Sequence, residues 1–262
     1  MSNTAALLQD DDAPRGVRPR PSIYTYHRYP NPITRLKRDQ VQLREPPLDR
    51  RQRVYLAVIS GPGVAAGPAD SVVVVKKIKG HRHQPEASML RQVEHPNVVR
   101  LLGICPADPA YPDDDVWLVM EKAIGDMRQT ILRDPHGRFS AAEVLFLMLQ
   151  VSEALVHLHT RMRCAHLDLK PDNILLFQKG GGDWVAKIAD FGAALSLRAP
   201  DALDLNEHTL QYAAPEQLTS CRLRSYLEGF ACDIYAFGGV LFEALTGGTV
   251  NRPDGSVRLY EI

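Results

Sequence analysis

The apolar positions of this chain change rhythm once along its length. From Gln40 to Met120 they fall in short runs rich in β-branched residues, which predict strands at Val54–Ile59, Ser71–Lys76, Val99–Ile104 and Val116–Met120. Between the first two, Gly61-Pro62-Gly63 through Pro68 must form a loop. Glu86 to Val93 reads as a short helix, stopped by His95-Pro96-Asn97. After Gly125 the spacing becomes helical. Val144, Leu145, Leu147, Met148, Val151, Leu155 and Leu158 predict a helix over Ala141–His159, with Ser140 and Glu143 placed to form a capping box. Asp233 to Leu245 predicts a second apolar helix, ended by Gly247-Gly248. A strand-rich part followed by a helix-rich part indicates an α+β, two-lobed architecture. Residues 1–38, rich in Pro, Arg and Asp and without rhythm, are expected to be disordered despite Tyr24, Tyr26 and Tyr29.

Composition narrows this picture in three ways. A chain of 262 residues, 45% of them apolar, suffices for one large domain or two lobes. A formal net charge of zero argues against general binding of nucleic acid or of a membrane surface. No run reads as long and apolar enough to span a bilayer, and the opening Met1-Ser2-Asn3-Thr4 is not a signal peptide. Cys105, Cys164, Cys221 and Cys232 lack C-x-x-C spacing, so free thiols in a reducing compartment are expected, which places the protein inside the cell, in cytoplasm or nucleus.

The chemistry is concentrated in His166-Leu167-Asp168-Leu169-Lys170-Pro171-Asp172-Asn173 and, further on, Asp190-Phe191-Gly192. An Asp, a Lys and an Asn at these offsets, followed by a second Asp, suit phosphoryl transfer. Asp168 orients a hydroxyl, Lys170 steadies a phosphate, and Asn173 and Asp190 hold Mg²⁺. Two such side chains fit Mg²⁺, which prefers oxygen ligands and keeps much of its water.

This string resembles the catalytic loop of the eukaryotic-type protein kinases, H-R-D-L-K-P-x-N, with Leu167 in place of the Arg. The resemblance runs from about residue 40 to the C-terminus. Lys76 ends a Val-rich strand as the Lys of the family's V-A-I-K does, and Glu86 opens a helix like the one carrying that Lys's partner. Lys77 and Lys79 are neighbours, but Lys76 fits the apolar run and the distance to Glu86 best. Thr209-Leu210-Gln211-Tyr212 and Ala214-Pro215-Glu216 resemble the end of an activation segment, and Asp233 resembles the residue that anchors the catalytic loop.

The resemblance implies a β-rich N-lobe over about residues 39–122 and a mainly helical C-lobe over 123–262. It also implies ATP and Mg²⁺ as cofactors and a protein substrate presenting a Ser or Thr hydroxyl; Lys170 resembles the serine/threonine rather than the tyrosine kinases. By the same resemblance, Lys76 binds phosphates with Glu86 as its partner, and Val54, Val74 and Leu175 sandwich the adenine. Glu121 and Ala123 offer it backbone hydrogen bonds, Met120 is the gatekeeper, and Asp126 either reaches the ribose or caps a helix. His166 and Phe191 are expected to pack with Leu90 and Leu101 in a column joining the lobes, and Glu216 and Asp233 to act as structural anchors.

Three departures stand out. The segment Pro47 to Gln52, where a glycine-rich phosphate loop should fall, has no glycine. Gly61, Gly63 and Gly67 read as an insertion between strands, while Arg50, Arg51 and Arg53 are available to supply positive charge instead. Leu167 removes the cation that would hold a phosphorylated activation segment. The C-lobe is expected to be incomplete, either a shortened form or a fragment. The leading expectation is a serine/threonine kinase; the alternatives are a pseudokinase acting as a binding or scaffold module and, less favoured, a small-molecule kinase.

Overall fold

The computed structural model describes residues 34–49, 53–60, 72–79, 83–107, 115–132, 139–178, 182–196, 209–219 and 226–247. The glycine-bearing loop after Ile59, Arg50, Arg51 and Cys221 lie outside them, as does most of the segment expected to be disordered.

The N-lobe is a six-stranded sheet. Its strands are β1 (Thr34–Arg35), β2 (Val41–Arg44), β3 (Val54–Ile59), β4 (Val72–Ile78), β5 (Leu101–Cys105) and β6 (Val116–Met120), in the spatial order β1-β5-β6-β4-β3-β2. All neighbours are antiparallel except β1 and β5, which run parallel. Alternation does the folding here. Tyr55, Ala57 and Ile59 on β3, and Val73 and Val75 on β4, are buried, while the residues between them are half-buried. Helix α1 (His83–Gln92) starts a turn earlier than the apolar pattern suggests.

Ordered structure also begins inside the segment expected to be disordered. Thr34 and Arg35 pair with Gly103 and Ile104, and Leu36 is buried against the sheet. Two residues of parallel pairing leave no periodic signature, which is why the pattern missed them.

The C-lobe opens with β7 (Gly125–Asp126) and a π-helical turn at Arg128–Leu132. Helix α2 (Ala141–His157) follows, with the expected capping box: Glu143 N donates to Ser140 Oγ at 3.3 Å and Ser140 N to Glu143 Oε2 at 2.8 Å. It continues as a π-turn to Met162 and stops at Arg163, whose φ of 52° breaks the helical run. Short strands β8 (Cys164–Ala165), β9 (Ile174–Gln178), β10 (Trp184–Ile188) and β11 (Leu195–Ser196) come next, then α3 (Pro215–Thr219) and α4 (Tyr226–Thr246). β9 lies between β10 and β7, and β8 pairs with β11.

One hydrophobic core runs through both lobes. It holds Leu90 and Leu101 from above and Phe191 from below, and the His166 ring meets Phe191 edge-on at 5.1 Å. The expected column is therefore present. Hydrogen bonds stitch the same seam: Val99 N donates to Ile188 O at 2.8 Å and Ile188 N to Asn97 O at 2.9 Å.

The expectation about bilayer-length segments needs correcting. Residues 141–162 and 227–246 are both long and apolar enough to cross a membrane by length and composition. Much of that apolar content faces inward, with Val144, Leu147, Met148, Val151 and Leu155 of α2 and Ala236 and Val240 of α4 in the common core.

Candidate active site

One face of the N-lobe sheet carries four of the expected site residues. Val54 lies directly across from Lys76, and Val74 directly across from Met120. Because Val74 and Lys76 are two apart on β4, all four point to the same side. Leu175 comes from the opposite lobe, on β9, where it pairs with Asp126 of β7. Glu121 spends its N–H on Arg100 O at 3.2 Å, and its carboxylate accepts from Arg100 N at 2.8 Å and Lys187 Nζ at 2.6 Å. Its carbonyl is what remains for a base. Ala123 is half-buried in the connection between β6 and β7. Asp126 Oδ1 accepts from Gln129 N at 2.8 Å, the capping arrangement anticipated as one of its two roles.

Below this face, Lys76 Nζ sits between two carboxylates, 2.8 Å from Glu86 Oε1 and 2.7 Å from Asp190 Oδ1. The chain of three joins β4, α1 and the segment after β10. Burial alone would lower the Lys76 pKa, but Asp190 and Glu86 outweigh it and hold the ammonium above its ordinary value. Asp190 also resists the upward pull of burial: Lys76 and the Gly192 N–H keep it below the usual carboxylate range. Glu86, 5% exposed, is raised by burial first, with Lys76 opposing. A Cβ on Gly192 would lie 3.1 Å from Asp190 Oδ1, tighter than ordinary contacts, so glycine keeps this approach open. Asp190 itself adopts φ 63°, a left-handed backbone seldom taken by a non-glycine residue.

The second cluster surrounds Asp168. Its Oδ1 accepts from Thr209 N at 3.0 Å and Thr209 Oγ1 at 2.7 Å. Its Oδ2 accepts from Lys170 Nζ at 2.6 Å and Asn173 Nδ2 at 3.2 Å. Lys170 Nζ also donates to Thr209 Oγ1 at 2.8 Å. The carboxylate is thus aimed by groups from two distant parts of the chain, and a cation stands at its side. Asn173 turns its amide nitrogen to Asp168 O at 2.8 Å, which leaves its carbonyl oxygen for a cation. Ala189 N donates to Asn173 O at 2.9 Å, so Asp190 follows directly from a residue bonded to Asn173. One amide oxygen and one carboxylate form a donor set that fits Mg²⁺. Among the described residues no group of three or more His, Cys, Asp or Glu could hold a metal ion.

The loop is held from beneath by Asp233, fully buried on α4. Its carboxylate accepts from His166 N at 2.8 Å, Leu167 N at 2.7 Å and His159 Nε2 at 2.7 Å. The clamp explains how Leu167 persists at φ 64°, a conformation costing a branched side chain about 1 kcal/mol or more. The Leu167 side chain packs with Ala165, Leu195, Ala214 and Cys232, under both ends of the activation segment, and Gln217 Nε2 donates to Leu167 O at 3.1 Å. Where an Arg would present charge, this chain presents apolar packing.

The β2–β3 connection has no glycine, and its described residues bond to one another. Asp49 Oδ1 accepts from Arg53 N and Val54 N, both at 2.7 Å, and Leu48 N donates to Val54 O at 2.7 Å. The amides of Arg53 and Val54 are thus turned onto a side chain of the same connection.

Three participants were not singled out from sequence. Thr209 counted only as part of the stretch resembling an activation segment, yet it bridges Asp168 and Lys170. His159 is stacked on Phe230 at 4.3 Å and shares Asp233. Arg128 joins Asp172, Glu243 and Tyr212. Their signal is tertiary: each meets its partner more than thirty residues away.

A β-rich lobe supplying a Lys–Glu–Asp chain, set over a helical lobe whose loop aims a carboxylate, defines a protein-kinase-like fold. Comparison with known proteins agrees. The model of the family described as "Protein kinase domain" matches residues 67–259, and the chain belongs to this family. It is 34% identical over 182 residues to ribosomal protein S6 kinase alpha-1 of Rattus norvegicus, covering 68% of this chain and 23% of the relative. It is 34% identical over 164 residues to serine/threonine-protein kinase dkf-2 of Caenorhabditis briggsae, covering 62% and 13%. Mitogen-activated protein kinase kinase kinase 7 of Homo sapiens is 32% identical over 182 residues, covering 66% and 27%. The matched region spans little more than a quarter of such relatives at most. The family match starts at residue 67, after β3, so the glycine-free hairpin lies outside it.

Proposed function

We propose that the chain is an active, ATP-dependent serine/threonine protein kinase that transfers the γ-phosphoryl group to a protein hydroxyl. The observation that carries this reading is the Lys76 ammonium held between Glu86 and Asp190, the charged arrangement that phosphate positioning requires. Lys76 would bind the α- and β-phosphates, with Val54, Val74 and Leu175 around the adenine, Met120 behind it, and the Glu121 carbonyl and Ala123 N–H on its edge. Asp126 would contact the ribose. Asn173 and Asp190 would hold Mg²⁺, which neutralises phosphate charge when bound. Asp168 would orient the substrate hydroxyl and take its proton, and Lys170, beside it, would offset charge on the transferred group. The Leu167 packing supports activity that does not depend on phosphorylation of the activation segment; phosphatase treatment should leave the rate unchanged, and a large loss on treatment overturns that point.

A second reading, a pseudokinase serving as a binding module, is favoured by one feature, the glycine-free β2–β3 connection, in which Asp49 takes the amides of Arg53 and Val54. Thermal shift with MgATP on wild type and Asp190→Asn separates the two. Stabilisation that weakens in the variant, followed by phosphotransfer that Asp168→Asn abolishes, supports the kinase. Well-folded protein with no shift at millimolar MgATP supports the binding module.

A further inference from the structure

One lysine ties the edge of the expected base site to its floor. Lys187 Nζ donates to Glu121 Oε1 at 2.6 Å, and the same oxygen accepts from Arg100 N at 2.8 Å. Glu121 N donates to Arg100 O at 3.2 Å. Glu121 thus meets the N-lobe through Arg100 and the C-lobe through Lys187. The pair is shielded, with 16% of the Lys187 side chain and 23% of the Glu121 side chain open to water.

Where the lysine stands matters more than the bond. On β10 it lies directly across from Leu175 of β9, the residue expected beneath the adenine. Residues directly opposed in an antiparallel pair share a face of the sheet. Phe177, two residues further along β9, is on that face too, and the Lys187 ammonium lies 4.6 Å from the centre of its ring. Lys187 therefore starts on the floor and reaches the residue whose carbonyl remains for the edge of the base. The chain between β6 and β7 also bonds to β9, Ile124 N to Leu176 O at 2.9 Å, but three residues beyond Glu121. Floor and edge must keep one separation if a flat ring is to stack on Leu175 and hydrogen-bond at Glu121 together. A bridge formed before the ring arrives spares the cost of ordering them.

We propose that Lys187 is a positioning residue for the nucleotide base: through the Glu121 carboxylate it sets the edge of the base site against the Leu175 floor. This rests on the kinase reading above. It gives Lys187 no part in phosphate binding or proton transfer, although Asp190 follows three residues later.

The test separates base from phosphates. Adenosine and magnesium tripolyphosphate are titrated by calorimetry, and turnover of ATP is read as KM and kcat. The proteins are wild type, Lys187→Met, Lys187→Arg, Glu121→Gln and the double variant Lys187→Met/Glu121→Gln. Lys187→Met should weaken adenosine and raise KM for ATP by about five-fold, the order expected of one shielded ion pair. Its kcat and its affinity for tripolyphosphate should stay at the wild-type values. Lys187→Arg, which keeps a cation, should recover most of the loss. Glu121→Gln should lose as much as Lys187→Met, and the double variant no more than either. Unchanged adenosine affinity in folded Lys187→Met, equal weakening of tripolyphosphate, a fall in kcat, or additive losses in the double variant overturns the proposal. Should Lys187→Met not fold, Glu121→Gln decides, and wild-type adenosine affinity in it is the overturning result. Wild type that binds adenosine but transfers no phosphate ends the kinase reading, while the adenosine titrations still judge Lys187. Wild type that binds no adenosine at millimolar concentration overturns both.

Discussion

Two aspartates, Asp168 and Asp49, each accept hydrogen bonds from a backbone N–H and further donors, yet only one sits in a site. The donors to Asp49 lie four and five residues along the same turn. Thr209, which donates twice to Asp168, lies 41 residues away, and Lys170 and Asn173 add side-chain donors from the loop itself. A local ring of bonds closes the base of a turn and takes two of its amides. A ring assembled from distant segments fixes a carboxylate in space. The described part of the glycine-free connection is bound within itself, whereas the Asp168 loop is aimed from afar.

Four substitutions probe that contrast, the first with the largest effect. Asp168→Asn should lower phosphotransfer by about 10²–10⁴-fold, the usual share of a general base, while leaving the MgATP thermal shift intact; steady-state rates and melting curves check both halves. Asp233→Ala strips a buried acceptor from two backbone N–H groups and His159, and should cost about 3–5 kcal/mol in denaturant unfolding. Asp49→Ala should cost only about 1–2 kcal/mol and leave kcat unchanged; a fall in kcat like that of Asp168→Asn would erase the distinction between the two regions.

The smallest effect lies at a pair of histidines that joins the segment after α1 to the end of α2. The His95 and His157 rings lie 4.9 Å apart, and burial, then the charge of His157, lowers His95 from its ordinary 6.5 to about 4. Between those values the unfolded chain binds a proton that the folded one refuses. Stability should therefore be full above pH 6.5 and fall progressively towards pH 4. A Tm series for wild type and His95→Gln should show a flatter dependence in the variant.

Much of this was legible in the sequence, for a physical reason. β3 and β6 match their expected spans because alternation in a half-buried sheet is local information. Lys76, Glu86 and Asp190 were legible because the resemblance fixed their order and spacing, and the fold brings them together. α4 begins at Tyr226, two turns before Asp233; Leu227 is apolar yet 75% exposed, so this first part carries no clear stripe to announce it. Thr209, His159 and Arg128 stayed hidden because each acts through a partner that only the folded chain places beside it. Asp168 was visible as chemistry, but its aim was not.

The six-stranded sheet ends, on the β5 side, in a strand of just two residues, one of them the exposed Arg35. A longer apolar border there would invite a second chain to continue the ladder. Among the described residues this border is short and carries a charge, features that give an incoming strand little to grip.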